Sequence, residues 1–155
     1  MERDRKLTAL LCALILLLTA GCGAQKASAD MQSVYEQMQR DLDMPEMIAV
    51  SEKRLVNVYG IDPETCVQGI FAVAADGLRV DEIWLIEARD DAAAEKLSSF
   101  AKSRAEQLCA ETENYLPDQY KVAADARIIH KGRYVALFIS PGADAMEKLF
   151  NSSIS

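Results

Sequence analysis

The chain has 155 residues, and its 24 acidic residues outnumber its 17 lysines and arginines, giving a formal net charge of −7. This acidic balance argues against nucleic-acid binding, because that function requires a basic surface. The length is sufficient for one domain with a hydrophobic core. We therefore expect a single folded domain behind the N-terminal segment described next.

Residues 1–21 have the parts of a secretory signal: a charged start, an apolar stretch over 7–20 and small residues before Cys22. Residues 16–22, Leu-Leu-Leu-Thr-Ala-Gly-Cys, resemble the processing box of bacterial lipoproteins. In such proteins the signal is cleaved before the cysteine, and the cysteine thiol then carries a lipid. We therefore predict a signal peptide over 1–21, a lipid anchor on Cys22, and a location at the cell membrane facing outside the cytoplasm.

A transmembrane helix is the alternative for this segment, because residues 7–25 carry no charge and are just long enough to span a bilayer. Gly21 and Gly23 argue against it, since glycine weakens a helix where the apolar run would have to continue. Residues 22–29 are small or polar and predict a short tether, so we expect the folded domain to work close to the membrane.

In chain order, helical periodicity begins after Asp30, which is a good N-cap residue. A second short helix follows Ser51, and a hairpin signal at residues 76–77 joins two strands. A long helix, a helical turn, a second hairpin and a final helix complete the pattern. After the first helix, the predicted elements are a helix over 52–59, strands over 66–75 and 80–89, a helix capped by Asp90 or Asp91 and running to Asn114, a turn over 118–125, strands over 126–130 and 133–140, and a helix over 143–150.

This order predicts an α+β fold in which two ββα units form a four-stranded, mainly antiparallel sheet packed on the long helix, with N-terminal helices. Residues 83–86 and 134–139 are continuous apolar runs, which indicates that both faces of the sheet are covered. The long helix can cover one face and the first helix part of the other; a bare face would be a surface for a partner. We expect the domain to span residues 30–151, with 152–155 as a frayed tail.

Two cysteines remain once Cys12 leaves with the signal and Cys22 is acylated. In an oxidising compartment the remaining pair, Cys66 and Cys109, is a candidate disulfide, and two independent buried thiols are the alternative. Two cysteines and one histidine do not complete a zinc site, so we expect no metal and no cofactor.

Arg104 falls in the middle of the apolar stripe of the long helix. An arginine in that position needs a carboxylate partner or must extend to the edge of the stripe. The candidate partners are Asp81 and Glu87 on one face of the second strand and Glu82 on the other. An internal ion pair, an arginine that reaches solvent and an arginine that binds a ligand are therefore three open interpretations.

Several short segments, taken in order, are similar to the family catalogued as domain of unknown function 4358, a group of small bacterial lipoproteins. The resemblance covers nearly all of residues 30–150 and implies a location and a domain extent, without an activity. It also implies that Asp62, Glu87 and Arg104 are candidates for one polar cluster. The similar segments are residues 59–62, residues 81–88, Arg104 with Gln107, residues 115–117, and residues 132–137 with Ile139 and Ser140.

The sequence contains no phosphate-binding loop, nucleophile elbow or Cys-x-x-Cys motif, and His130 has no catalytic partner at a recognisable spacing. We therefore expect a non-enzymatic lipoprotein that binds a protein or envelope component near the membrane. The alternative is a lipoprotein that binds a small anionic solute in a pocket around Arg104. An enzyme would require Asp62, Glu87 or His130 to converge in a cleft.

Overall fold

The computed structural model of the protein describes residues 28–155. The predicted signal peptide, the predicted lipid site at Cys22 and most of the predicted tether lie outside the described residues. Within residues 28–155, no helix combines the length and the apolar character needed to cross a membrane.

An antiparallel sheet of five strands, in the order β1-β2-β3-β5-β4, forms the centre of the described segment. Strand β3 is the middle strand, and every one of its residues is buried. Its first residue, Glu82, lies opposite Ile139, and Glu87 lies opposite Tyr134. The strands are β1 Met47–Ala49, β2 Cys66–Ala74, β3 Glu82–Ala88, β4 Arg127–Lys131 and β5 Tyr134–Ile139.

Helices cover both faces of this sheet, and three of them begin at the side-chain caps that the sequence predicts. Asp30, Ser51 and Asp90 each accept a hydrogen bond from a backbone N–H in the first turn of the helix that follows. The helices are α1 Met31–Asp41, α2 Glu52–Asn57, α3 Asp91–Thr112, α4 Pro117–Ala124 and α5 Ala143–Ser153, and a 3₁₀ turn, Pro63–Thr65, precedes β2.

Two hydrophobic cores lie on opposite faces of the sheet, because alternate residues of β3 point to opposite sides. Trp84 and Ile86 face the first core, which α2, α3 and α4 close. Ile83 and Leu85 face the second core, which α1 and α5 close. Both faces are thus covered within the chain, as the continuous apolar runs predict. The largest residues that the helices and β5 add to the second core are Met31, Met38, Phe138, Met146 and Phe150.

The predicted α+β class is confirmed, but the predicted four-stranded sheet is wrong, because β1 adds a fifth strand at one edge. Strand β1 has only three residues, which is too short for an alternating pattern to be recognised. It pairs with the last third of β2, with Met47 opposite Ala74 and Ala49 opposite Ala72.

The two predicted ββα units occur in the chain order but do not pack as equivalent units. Helix α3 follows β2 and β3 and lies on the first-core face, whereas α5 follows β4 and β5 and lies on the second-core face. The C-terminal residues also differ from the expected frayed tail. Helix α5 continues to Ser153, and Ile154 packs partly buried against the second core.

Candidate functional site

A buried ion pair joins helix α3 to the central strand. Arg104 donates a hydrogen bond from Nε to Oε2 of Glu82 at 2.9 Å, and its Nη2 atom lies 2.9 Å from the same oxygen. The side chain of Arg104 is 10% exposed and that of Glu82 is 1% exposed. Because Glu82 begins β3 and faces the first core, the pair ties the middle of the long helix to one end of the central strand.

Three neighbouring side chains hold this pair in place. Trp84 donates its indole N–H to Oε1 of Glu82 at 2.8 Å, so both carboxylate oxygens accept hydrogen bonds. Arg104 donates from Nη1 to Oε1 of Gln107 at 3.3 Å. Its guanidinium carbon also lies 5.0 Å from the ring centroid of Tyr59, which is a cation–π geometry. Arg104 is therefore fixed on three sides.

The Arg104 side chain stays charged in this environment. Burial alone would lower the pKa of the Arg104 guanidinium, but the hydrogen bond to Glu82 and the negative charge of that carboxylate outweigh burial and raise the pKa. The charge of Arg104 is thus matched inside the protein, and the guanidinium is already engaged by two acceptors.

Tyr59 contributes a buried hydroxyl that has no hydrogen-bond partner within residues 28–155. Its ring packs against Trp84, with the two ring centroids 5.4 Å apart. Burial raises the pKa of Tyr59 to about 12, and the negative charge of Glu82 adds to the increase. Tyr59 also lines a cavity of about 110 Å³ beside Phe100 and Arg104.

Arg104 and Glu82 also line a cleft of about 420 Å³ between the β2–β3 hairpin, β1 and α3. Beside them, Asp81 is 2% exposed and accepts two hydrogen bonds from the guanidinium of Arg79, at 3.0 and 3.1 Å. The cleft therefore has paired charges among its lining residues and large apolar side chains exposed to solvent. The exposed apolar residues that line it are Leu78 (70% exposed), Ile48 (50%) and Leu116 (36%).

A second polar cluster, at the opposite end of β3, holds the first described residues of the chain. Glu87 is buried, and its carboxylate accepts hydrogen bonds from Nε2 of Gln68 at 2.9 Å, from Nη2 of Arg133 at 2.8 Å and from the hydroxyl of Ser28. The hydroxyl of Tyr134 donates to that of Ser28 at 3.4 Å. We call these five residues the N-terminal clamp.

The N-terminal clamp also binds the backbone at the start of the chain. The Gln68 side chain donates to the carbonyl of Ala29 at 3.1 Å and accepts from the N–H of Met31 at 3.0 Å. The Tyr134 hydroxyl accepts from the N–H of Ala29 at 3.2 Å. The chain is therefore fixed to the sheet immediately before α1 begins.

The structure does not bring Asp62, Glu87 and Arg104 into one cluster. Arg104 pairs with Glu82, whereas Glu87 points to the opposite face of β3, because the two glutamates are an odd number of positions apart along the strand. Asp62 is exposed and caps the 3₁₀ turn by accepting from the N–H of Glu64 at 2.9 Å. His130 is exposed on β4. These candidate residues therefore do not converge in a cleft.

Cys66 and Cys109 are free thiols, so the candidate disulfide is not formed in the structure. Cys66 begins β2, Cys109 lies on α3, and each packs partly buried against the first core. Burial raises the pKa of both thiols, which favours the protonated, less reactive form. Residues 28–155 contain no group of three or more His, Cys, Asp or Glu side chains arranged to bind a metal.

Sequence reasoning did not identify several members of these clusters. Asp81 was considered only as a partner of Arg104, and its ion pair with Arg79 was missed. That pair carried a usable signal, because residues two apart on an extended chain lie on the same side and their charges are opposite. Gln68 and Tyr134 carried no such signal, since their roles depend on where the N-terminal residues cross the sheet. The buried tyrosine Tyr59 was part of a family-like segment but had no predicted role.

The ion pair makes a direct prediction about stability. Glu82→Gln keeps the side-chain shape but leaves Arg104 as an unpaired buried charge, so we expect the free energy of unfolding to fall by about 3–5 kcal/mol. Urea denaturation measures this change. Glu106→Gln, on the exposed side of the same helix, is the matched control and should change the free energy by less than about 0.5 kcal/mol.

A double variant tests whether the loss comes from the unpaired charge. Glu82→Gln combined with Arg104→Met removes both charges and should be more stable than the sum of the two single changes predicts. Equal stabilities for the Glu82→Gln and Glu106→Gln proteins would contradict the structural role of the pair.

The pKa of Tyr59 makes a second prediction. An unfolded tyrosine ionises near pH 10, whereas Tyr59 in the folded protein ionises near 12. The folded state therefore holds this proton longer, and the free energy of unfolding should be unaffected below about pH 10 and fall as the pH rises to about 12. Urea denaturation across that interval, with tyrosinate absorbance as a second readout, measures the effect.

Tyr59→Phe is the control for this titration. The variant should lose the part of the pH dependence that Tyr59 causes, while Tyr35, whose pKa burial also raises, continues to contribute. An unchanged slope between about pH 10 and 12 in the variant would show that Tyr59 is not the group responsible.

The family model described as Domain of unknown function (DUF4358) matches residues 40–140 of the chain. The matched region contains all five strands, the Arg104–Glu82 pair and the four clamp residues that lie on or beside the sheet. No curated protein and no solved structure matches the chain. Because the match extends over more than half of its length, the chain belongs to the domain of unknown function 4358 family.

Proposed function

We propose that this protein is a membrane-anchored extracytoplasmic lipoprotein that acts as a non-enzymatic binding module for a protein or envelope component. The observation that carries this proposal is the cleft beside the Arg104–Glu82 pair, where Leu78, Ile48 and Leu116 are exposed around paired charges. Protein-binding surfaces commonly combine apolar contact residues with arginine side chains.

The lining of the cleft suits recognition better than chemistry. The carboxylates of Asp81 and Glu82 are each held by an arginine, and both are almost completely buried. Neither carboxylate is placed as a general base with a reactive partner. The paired charges instead give the cleft a fixed shape and a polar pattern that a partner can match.

The two ends of β3 separate the cleft from the membrane attachment. Glu82 lies in the cleft and Glu87 in the N-terminal clamp, about 17 Å apart at 3.3 Å per residue. Cys22 is six residues before Ser28, so the predicted lipid lies within about 20 Å of the clamp. A lipid on Cys22 would place the clamp end of the domain near the bilayer and leave the cleft open to the surrounding space.

The alternative function, binding of a small anionic solute by Arg104, has less support from the geometry. The guanidinium already donates to Glu82 and Gln107 and lies against Tyr59. An anion would have to displace the Glu82 carboxylate and leave it buried without its partner, which is costly. The binding-module proposal requires no such rearrangement.

The lipid anchor is tested at Cys22. Replacing Cys22 with Ser removes the thiol that carries the lipid, so the protein should lose incorporated radiolabelled palmitate and leave the membrane fraction. Cys12→Ser, which changes a cysteine of the predicted signal, is the matched control and should keep both properties. A Cys22→Ser protein that still sediments with membranes in full amount would contradict the anchor.

The cleft is tested by site-specific photo-crosslinking in cells. A benzophenone side chain at position 78 should crosslink a discrete partner, whereas the same group at exposed Lys148 on α5, outside the cleft, should not. Adding Arg54→Glu, which reverses a charge in the cleft lining, should reduce the crosslinked product at least about fivefold. Equal products from positions 78 and 148 would argue against the cleft as the binding surface.

A further inference from the structure

Strand β2 has an open edge along its first half. The strand runs from Cys66 to Ala74, but β1 pairs only with residues 72–74. One further hydrogen bond, from the N–H of Val50 to the carbonyl of Phe71 at 2.8 Å, extends this contact by a residue. Apart from Val67, which lies in a bulge, residues 66–70 are paired with β3 on one side, and none of the five is paired with a described strand on the other.

The alternation of an antiparallel ladder identifies which backbone groups point to this open edge. The N–H of Ala74 donates to Asp81 at 2.9 Å, so even-numbered residues of β2 direct their backbone groups to β3. Phe71 accepts from Val50 on the other side, so odd-numbered residues point outward. The N–H and carbonyl of Gly69 and the N–H of Phe71 therefore point to the open edge, where no group of residues 28–155 pairs with them.

A groove of about 400 Å³ runs along the same edge. Its floor is formed by residues 69–72 of β2, one wall by α1, and the other by Val50 and Leu55. The three residues that α1 contributes to its wall are uncharged: Gln32, Tyr35 and Gln39. The floor of the groove thus has backbone hydrogen-bonding groups that are free of partners within residues 28–155, and its walls are uncharged. Proteins that bind a peptide by β-strand addition use an open strand edge of this kind.

The far edge of the sheet, at β4, carries charged residues that hinder the pairing of another strand, whereas the open edge of β2 does not. Proteins commonly block an exposed strand edge with charged residues. Strand β4, at the far edge, carries Arg127 and Lys131. The open half of β2 carries no charged residue, and its Val67 side chain is 56% exposed. A bulge between Cys66 and Gln68 marks the outer limit of the open edge.

Two candidates from this chain fit the groove poorly. The first is the N-terminal segment, because Ser28 is bound to Gln68 of β2, Glu87 of β3 and Tyr134 of β5 and so lies over the second-core face of the sheet. Residues 23–27 would have to turn from this face to the open edge of β2 and still leave Cys22 at the membrane. The second is another copy of the domain, because the edge lies between the walls of α1 and Leu55, which admit one extended chain more readily than a folded sheet.

We propose that the open edge of β2 binds an extended, uncharged segment of a partner polypeptide, which adds as a strand in line with β1. This inference rests on the proposed binding function and names the chemistry of one partner contact. The partner's backbone pairs with Gly69 and Phe71, and alternate side chains lie against Tyr35 on one wall and Leu55 on the other.

A random dodecapeptide library displayed on phage, selected against the full-length mature protein in detergent, provides the probe. Selected peptides should contain an alternating apolar pattern without charges. Val67→Lys places a charge on the open edge and should weaken binding of a synthesised, selected peptide at least tenfold. Val56→Lys, a similarly exposed valine on α2 outside the groove, is the matched control and should stay within about twofold.

Amide hydrogen exchange at Gly69 and Phe71, measured by NMR, is a second readout. Peptide binding should slow this exchange, whereas a general loss of stability would speed it. The selected peptide should slow exchange at these amides at least about tenfold. Failure to select any peptide, equal binding by the two lysine variants, or no slowing at either amide would overturn the proposal.

The other occupants are also distinguished by this experiment. Slow exchange at Gly69 in the peptide-free monomer would assign the edge to the N-terminal segment, and slow exchange only in a concentration-dependent dimer would assign it to a second copy. Both results overturn the proposal. Arg54→Glu, which alters the cleft, should leave peptide binding unchanged, so the edge and the cleft can fail independently.

Discussion

The central strand β3 must bury two carboxylates, and this requirement organises the rest of the domain. Glu82 and Glu87 lie near its two ends, point to opposite faces and are each almost fully buried. A buried carboxylate needs hydrogen bonds and positive charge close by. Glu82 obtains them from Arg104 and Trp84. Glu87 obtains them from three other members of the N-terminal clamp, Ser28, Gln68 and Arg133. One requirement thus positions α3 on the first face, and the other positions the start of the chain on the second.

These ionic contacts contribute little to the net stability of the fold, because the free energy needed to remove two charges from water is about as large as their attraction. Their main effect is to destabilise other arrangements of the domain, in which a buried charge would lose its partner. A shift of α3 along the sheet would separate Arg104 from Glu82, and a displaced N terminus would leave Glu87 without Ser28. The buried charges therefore favour one arrangement of helices over neighbouring ones that would bury similar apolar area.

The sequence was sufficient to predict the helices, the hairpins and the cover on both faces, because caps, turn residues and apolar runs are local signals. It could not select the partner of Arg104 among Asp81, Glu82 and Glu87. Residues 83–86 are apolar on both faces, so the alternation that normally distinguishes the two sides of a strand is absent. Strand β1 was missed for a related reason, since its three residues form a strand only because β2 is beside them.

The same geometry explains why the candidate polar cluster divides into separate features. Residues 82 and 87 are close in sequence, yet an odd separation on a strand places their side chains in different cores. The sheet therefore has a cleft at one end of β3 and the attachment of the N-terminal segment at the other. The clamp binds the backbone of Ala29 and Met31 directly, so the chain is attached to the sheet where α1 begins. The clamp thus binds the start of the chain to the sheet independently of the apolar contacts by which α1, with α5, closes the second core, and it does so at the end of β3 away from the cleft.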